Sequence, residues 1–140
     1  MSNEDSERGA TEFRPYVTLD FVFDNGLFFI AIRNIGKRSA FKVAVQFDKE
    51  FKGLEGKKDV SKLPLFANIE FMPPDKEIVA FLDSSSAYFK RGEPTRIETK
   101  ISFQNYEGRK YEFKMTHDLG IYKELGYIRR MGEIGSRQKE

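Results

Sequence analysis

From Tyr111 to Leu119 the chain reads YEFKMTHDL, with Tyr111, Phe113, Met115, His117 and Leu119 on one parity and Glu112, Lys114, Thr116 and Asp118 on the other. A period of two marks a strand with one covered face and one wet face, because successive side chains of extended backbone point to opposite sides. The same period sets Ile97, Thr99, Ile101 and Phe103 against Glu98, Lys100 and Ser102. The turn NYEGRK between the two runs closes them into a hairpin. A hairpin alone is marginal in water, so the rest of the chain has to supply further strands to cover the apolar face.

It does so. Val17, Leu19, Phe21 and Phe23 share a parity, and Asp24-Asn25-Gly26 supplies residues that tolerate positive φ before the second arm, LFFIAIRN. That arm is apolar on both parities, as expected of a central strand or one covered on both sides. Either Phe29 and Ala31 or Phe28 and Ile30 must lie on the face turned away from the main core, which predicts an apolar outer surface, for which the segment 122–128 is the simplest cover. Phe41, Val43, Val45 and Phe47 are expected on one face of the next strand, against Lys42, Ala44 and Gln46. FANIEF is a short strand stopped by Pro73-Pro74, which cannot donate to a ladder, and EIVAFLD is the strand after it. Between these, 48–64 reads as a long exposed and mobile connection, and SSSAYFKRGEP as a link with one helical turn.

Seven strands, short turns and almost no helix predict an all-β fold: an antiparallel seven-stranded immunoglobulin-like sandwich with a short C-terminal helix. A small closed β-barrel is the alternative, since strand count does not separate two packed sheets from one closed sheet. The expected organisation is a disordered lead-in over 1–12, the sandwich over 13–119, a short helix over 120–131 drawn from Ile121, Tyr122, Leu125 and Ile128, and a flexible tail over 132–140.

Composition narrows the function classes. Fourteen Phe and six Tyr among 140 residues suffice for a core, and the absence of Cys excludes disulfides, thiolate metal sites and cysteine nucleophiles. A net charge of +2 from 24 basic and 22 acidic residues does not demand a nucleic acid. The start MSNEDSERGATE lacks the basic-then-apolar pattern of a secretory signal, and no apolar run approaches the roughly 20 residues of a membrane span, so a cytoplasmic location is expected.

Asn34-Ile35-Gly36 followed by Ala40 resembles the N-x-G-x-x-x-A pattern of immunoglobulin-like sandwich domains of the prokaryotic cell-adhesion-related type, where it marks the connection between the second and third strands. RPYV at Arg14 to Val17 and PPDKE at Pro73 to Glu77 resemble uncharacterised bacterial and archaeal domains of that class. The resemblance spans roughly 14–119 and implies the fold rather than an activity. Because a membrane segment precedes the RPY stretch in some similar chains, it also allows an anchor in a longer protein.

No constellation of residues points to catalysis. His117 is the single histidine and lies on the apolar parity, so a partly buried ring with a backbone partner is expected in place of a general base. GLEGKKD fails the P-loop spacing and Ser84 to Ser86 lacks the context of a nucleophile elbow; no metal ligand set and no cofactor are implied. Basic pairs recur at turns. Alternation of loops between the ends of a sandwich puts Lys37, Arg38, Tyr106, Arg109 and Lys110 at one pole, and Lys57-Lys58 with Lys90-Arg91 at the other. The first pole, or else an exposed strand edge, is the candidate binding site of a non-enzymatic interaction module whose partner is another protein. Anion or nucleic-acid binding there is the alternative, disfavoured by the lack of a continuous basic stripe.

Overall fold

Asn25 and Gly26 both adopt positive φ (53° and 79°) and connect β1 (Val17–Asp24) to β2 (Leu27–Asn34). Two such residues make the turn whose twist matches that of a hairpin, and the pairing runs unbroken from Val17 opposite Asn34 to Asp24 opposite Leu27. The structure, a computed structural model, describes residues 13–123. The lead-in expected over 1–12, the tail over 132–140 and the expected helix beyond Lys123 lie outside the described residues. The part of that helix within them is one 3-10 turn, Leu119–Tyr122.

The chain continues through β3 (Ala40–Phe47), the two-residue strands β4 (Lys52–Gly53) and β5 (Lys58–Asp59), and the helical turn α1 (Pro64–Ala67). It then forms β6 (Ile69–Met72), β7 (Glu77–Ser84), α2 (Ser85–Lys90), β8 (Arg96–Gln104) and β9 (Lys110–Asp118). One sheet has the order β1-β2-β7 and the other β6-β3-β8-β9, all pairs antiparallel. This is an all-β sandwich, not a closed barrel. Leu19, Ile30 and Ile32 from the first sheet are buried with Val43, Val45, Ile97, Ile101 and Phe103 from the second. At one end Phe28 is surrounded edge-on by Phe23, Tyr88, Phe89 and Tyr122, with ring centroids 5.4–6.0 Å away.

Two expectations are corrected. The parity of β3 breaks at a bulge, where Phe41 opposes Gln104 and Ala44 opposes Ser102, so one extra residue is accommodated, with Lys42 at φ 52°. Ala40 therefore turns inward in place of Phe41, which pairs across the strands with exposed Phe71 at 5.4 Å. The segment 48–64 is not an open loop: β4 and β5 form a ribbon, Phe51 and Val60 join the core, and Leu54 N–H bonds the Leu82 carbonyl on the edge of β7. The cover expected for the outer face of β2 rests mainly on residues 124–128, which lie outside the described residues; Tyr122 itself stacks on Phe23 at 4.9 Å, and on the outer face Phe29 meets Phe81 edge-on beside exposed Val79.

The four-stranded sheet opposes only three strands. The inner row of β9, Tyr111, Phe113, Met115 and His117, alternates as the sequence predicts but is only half-buried. The segment leading into β1 covers part of it: Tyr16 stacks on Phe113 at 4.8 Å.

Candidate functional site

One end of the sandwich is assembled around a buried amide. Asn34 closes β2, and its Oδ1 accepts from the N–H of Tyr16 (3.2 Å) and of Gly36 (2.9 Å). Its Nδ2 donates to the carbonyls of Arg38 (2.8 Å) and Met72 (2.9 Å). A fully buried amide has two acceptor and two donor positions, and all are used here. Gly36 has a steric reason to be glycine. A Cβ there would stand 2.2 Å from the Arg14 carbonyl oxygen and 2.5 Å from the Tyr16 nitrogen. Ile35 N–H to Tyr16 O (2.8 Å) and Lys37 N–H to Arg14 O (3.1 Å) complete the seam. The Asn-x-Gly stretch thus turns the chain, and it also fixes the run into β1 against the β2–β3 loop.

The β8–β9 turn is equally determined. Asn105 Oδ1 accepts from Glu107 N–H and Arg109 N–H, both at 2.9 Å, and leaves Tyr106 at the tip, 76% exposed. Between this turn and the β2–β3 loop lies a cleft of about 540 Å³, with Arg14, Arg38, Phe41, Tyr106, Glu107 and Tyr111 in its lining. The Arg14 guanidinium sits 5.4, 5.2 and 5.1 Å from the ring centroids of Tyr16, Tyr111 and Phe113. A second guanidinium, Arg109, lies 5.5 Å from Tyr111. Cation–π contacts hold such groups without neutralising them. Among the described residues no carboxylate forms an ion pair with Arg14, Lys37, Arg38, Arg109 or Lys110.

Of the five residues that the sequence puts at this pole, Arg38 and Tyr106 line the cleft directly. Arg109 reaches it through Tyr111, Lys37 is exposed beside it, and Lys110 borders a neighbouring depression of about 410 Å³ with Tyr111 and Glu112. Arg14, Phe41 and Tyr111 were not among the sequence candidates. Arg14 was within reach of loop alternation, which puts the entry to β1 at the same end; Phe41 was hidden by the bulge.

The opposite pole also gathers basic groups, but its most enclosed one is neutralised. Arg91 pairs with buried Asp83 at 2.7 Å and with Glu93 at 3.0 Å, and donates to the Lys52 carbonyl. Burial opposes its charge, yet the bonds to Glu93 and Asp83 win and keep its pKa above the ordinary guanidinium value.

His117 has a side-chain partner in place of the expected backbone one: its Nε2 lies 3.1 Å from Thr99 Oγ1, and its ring contacts Phe21 at 5.0 Å. Burial pulls its pKa below the usual imidazole value, opposed by the charge of Asp20. Ser84 caps α2 by accepting from Ala87 N–H. Among the described residues no three carboxylate or imidazole groups are placed to hold a metal ion, and no helix is long and apolar enough to cross a membrane.

No curated protein and no solved structure matches the chain. One family model does, over residues 2–123, and that span covers the whole sandwich and the cleft: the chain belongs to the family described as Domain of unknown function (DUF8453).

Proposed function

We propose that this domain is a non-enzymatic recognition module of immunoglobulin-like build that holds another protein at the pole around Asn34. The strand order supports the build: with the β4–β5 ribbon set aside, the first, second and fifth strands face the fourth, third, sixth and seventh. In sandwiches of this class the loops after the second and sixth strands lie at one end, the end from which immunoglobulin variable domains bind ligands. That comparison is a fold-level analogy. The observation that carries the reading is the cleft between those two loops, lined by an exposed tyrosine and by arginines that form no ion pair among the described residues.

A photo-crosslinking amino acid in place of Tyr106, introduced in the native cell, tests it. The expected result is a discrete protein adduct that disappears in Arg38→Glu and is not formed from Leu54 at the other pole. Identical adducts from both positions, or none, would overturn the reading.

The tyrosines beside cations that form no ion pair among the described residues also favour a second reading, a single-stranded nucleic acid stacking on Tyr106 and Tyr111. Its binding would weaken steeply with salt through counterion release. Glu107 stands in the lining itself and other basic groups are tied up in pairs, Arg33 with Asp75 and Lys100 with Glu112, which argues against a continuous basic track among the described residues.

A further inference from the structure

We infer that the determinant recognised in the cleft is an acidic side chain next to an aromatic one in a peptide segment of the partner. This rests on the reading of the pole as a partner site and names the chemistry of that partner. Among the described residues no side-chain nitrogen of Arg14 has a hydrogen-bond acceptor, and its Nε is closed off from solvent beside the rings. Arg14 is also one of the residues that line the cleft. A guanidinium held over three rings is already oriented, so a carboxylate meets a fixed fork and little ordering is lost on binding. Arg38 and Arg109 add positive charge and form no ion pair among the described residues.

The apolar part of the lining sets the second requirement. Phe13, Pro15, Phe41 and Tyr106 stand beside the arginines, with Phe13 65% and Tyr106 76% exposed. A space of about 540 Å³ takes a few side chains rather than a length of polymer. An aromatic neighbour of the acid would rest on these rings. Glu107, also on the wall, disfavours a polyanion laid through the cleft and tolerates a singly charged determinant.

The test is selection from a random peptide library displayed on phage, with the wild-type domain as bait and depletion against an Arg38→Gln, Tyr106→Ala variant. Both residues are exposed side chains of the pole, so this variant keeps the fold. Enriched peptides are expected to carry Asp or Glu beside Phe, Tyr or Trp. A synthetic copy of one such peptide with Asn or Gln at the acid should bind roughly tenfold weaker, as should the acidic peptide to Arg14→Met, whose side chain still covers the rings. Pole-dependent peptides without acids, or an amide copy that binds equally, overturn this inference and leave the pole reading standing. Failure to enrich any pole-dependent peptide overturns both.

Discussion

Replacing Asn34 by Ala removes the amide that joins β1, the β2–β3 loop and β6. Four backbone groups lose their partner: the N–H of Tyr16 and Gly36 and the carbonyls of Arg38 and Met72. The bonds to Gly36 and Met72 are fully buried, and those to Tyr16 and Arg38 lie nearer the surface, where water can replace them. With about 1–3 kcal/mol for each stranded buried group and little for the wetter two, the expected loss is about 3–5 kcal/mol. Against a total stability on the order of 5–15 kcal/mol this is large, and for a chain of this size it lowers the melting midpoint by roughly 10–20 °C.

Asn34→Asp separates the electrostatic part. Its carboxylate keeps both acceptor contacts but faces the Arg38 and Met72 carbonyls without a proton to donate. The folded-state pKa of the new carboxyl is thereby raised above its unfolded value of about 3.9. The folded state then takes up a proton first as pH falls. The variant is therefore weakest near neutrality and recovers towards the wild type as pH drops to about 4. Urea unfolding of the three proteins at pH about 7 and about 4 measures both effects. A loss under about 1 kcal/mol in Asn34→Ala, or a wild-type gap in Asn34→Asp that does not narrow on acidification, refutes the bridging role.

Gly36→Ala drives a Cβ into the Arg14 carbonyl at 2.2 Å, so the seam must open, at a cost of about 3 kcal/mol by urea unfolding. Arg91→Met leaves Asp83 buried without its counter-charge, for a loss of about 3–5 kcal/mol that Asp83→Asn in the same chain largely restores; a small loss would show the pair to be incidental. Because the His117 pKa is depressed in the folded state, the unfolded chain protonates first on acidification. Its contribution is fully present above about pH 6.5 and declines below it. Comparing urea midpoints of the wild type and His117→Gln at pH about 7.5 and about 5.5 checks this, with a flatter pH response expected in the variant.

The seven sheet strands were legible because their causes are local: period-two alternation over Ile97 to Phe103 and Tyr111 to Leu119, and turn chemistry at Asn25-Gly26. Pole membership followed from chain alternation alone, and Arg38 and Tyr106 do line one cleft. What escaped depends on contacts distant in sequence or on single-residue irregularities. The bulge at Lys42 carries no Gly, Pro or Asn to announce it, yet it exchanges Phe41 for Ala40 in the core. The β4–β5 ribbon owes its order to Leu82 and Arg91, both remote in sequence, so its charge-rich stretch reads as loop. Arg14 becomes a site residue only because rings on the last strand of the sheet lie beneath it.

The hub and the cations of the pole should respond oppositely to mutation, and that contrast separates architecture from binding. Asn34 and Gly36 hold the backbone of Arg14 and Arg38 in place, so changes there weaken both the fold and the cleft. Among the described residues Lys37 and Arg38 make no ion pair, nor do Arg14, Arg109 and Lys110 at the same pole, so their charges are expected to contribute repulsion rather than stability. The Lys37→Gln, Arg38→Gln double variant should therefore unfold at an equal or higher urea midpoint, by a few tenths of a kcal/mol, with the gain growing at low salt and vanishing as salt screens the pole. Retained charge that costs stability is the pattern expected of a binding surface. A loss above about 1 kcal/mol would instead assign these side chains a structural role and remove the electrostatic argument for the site.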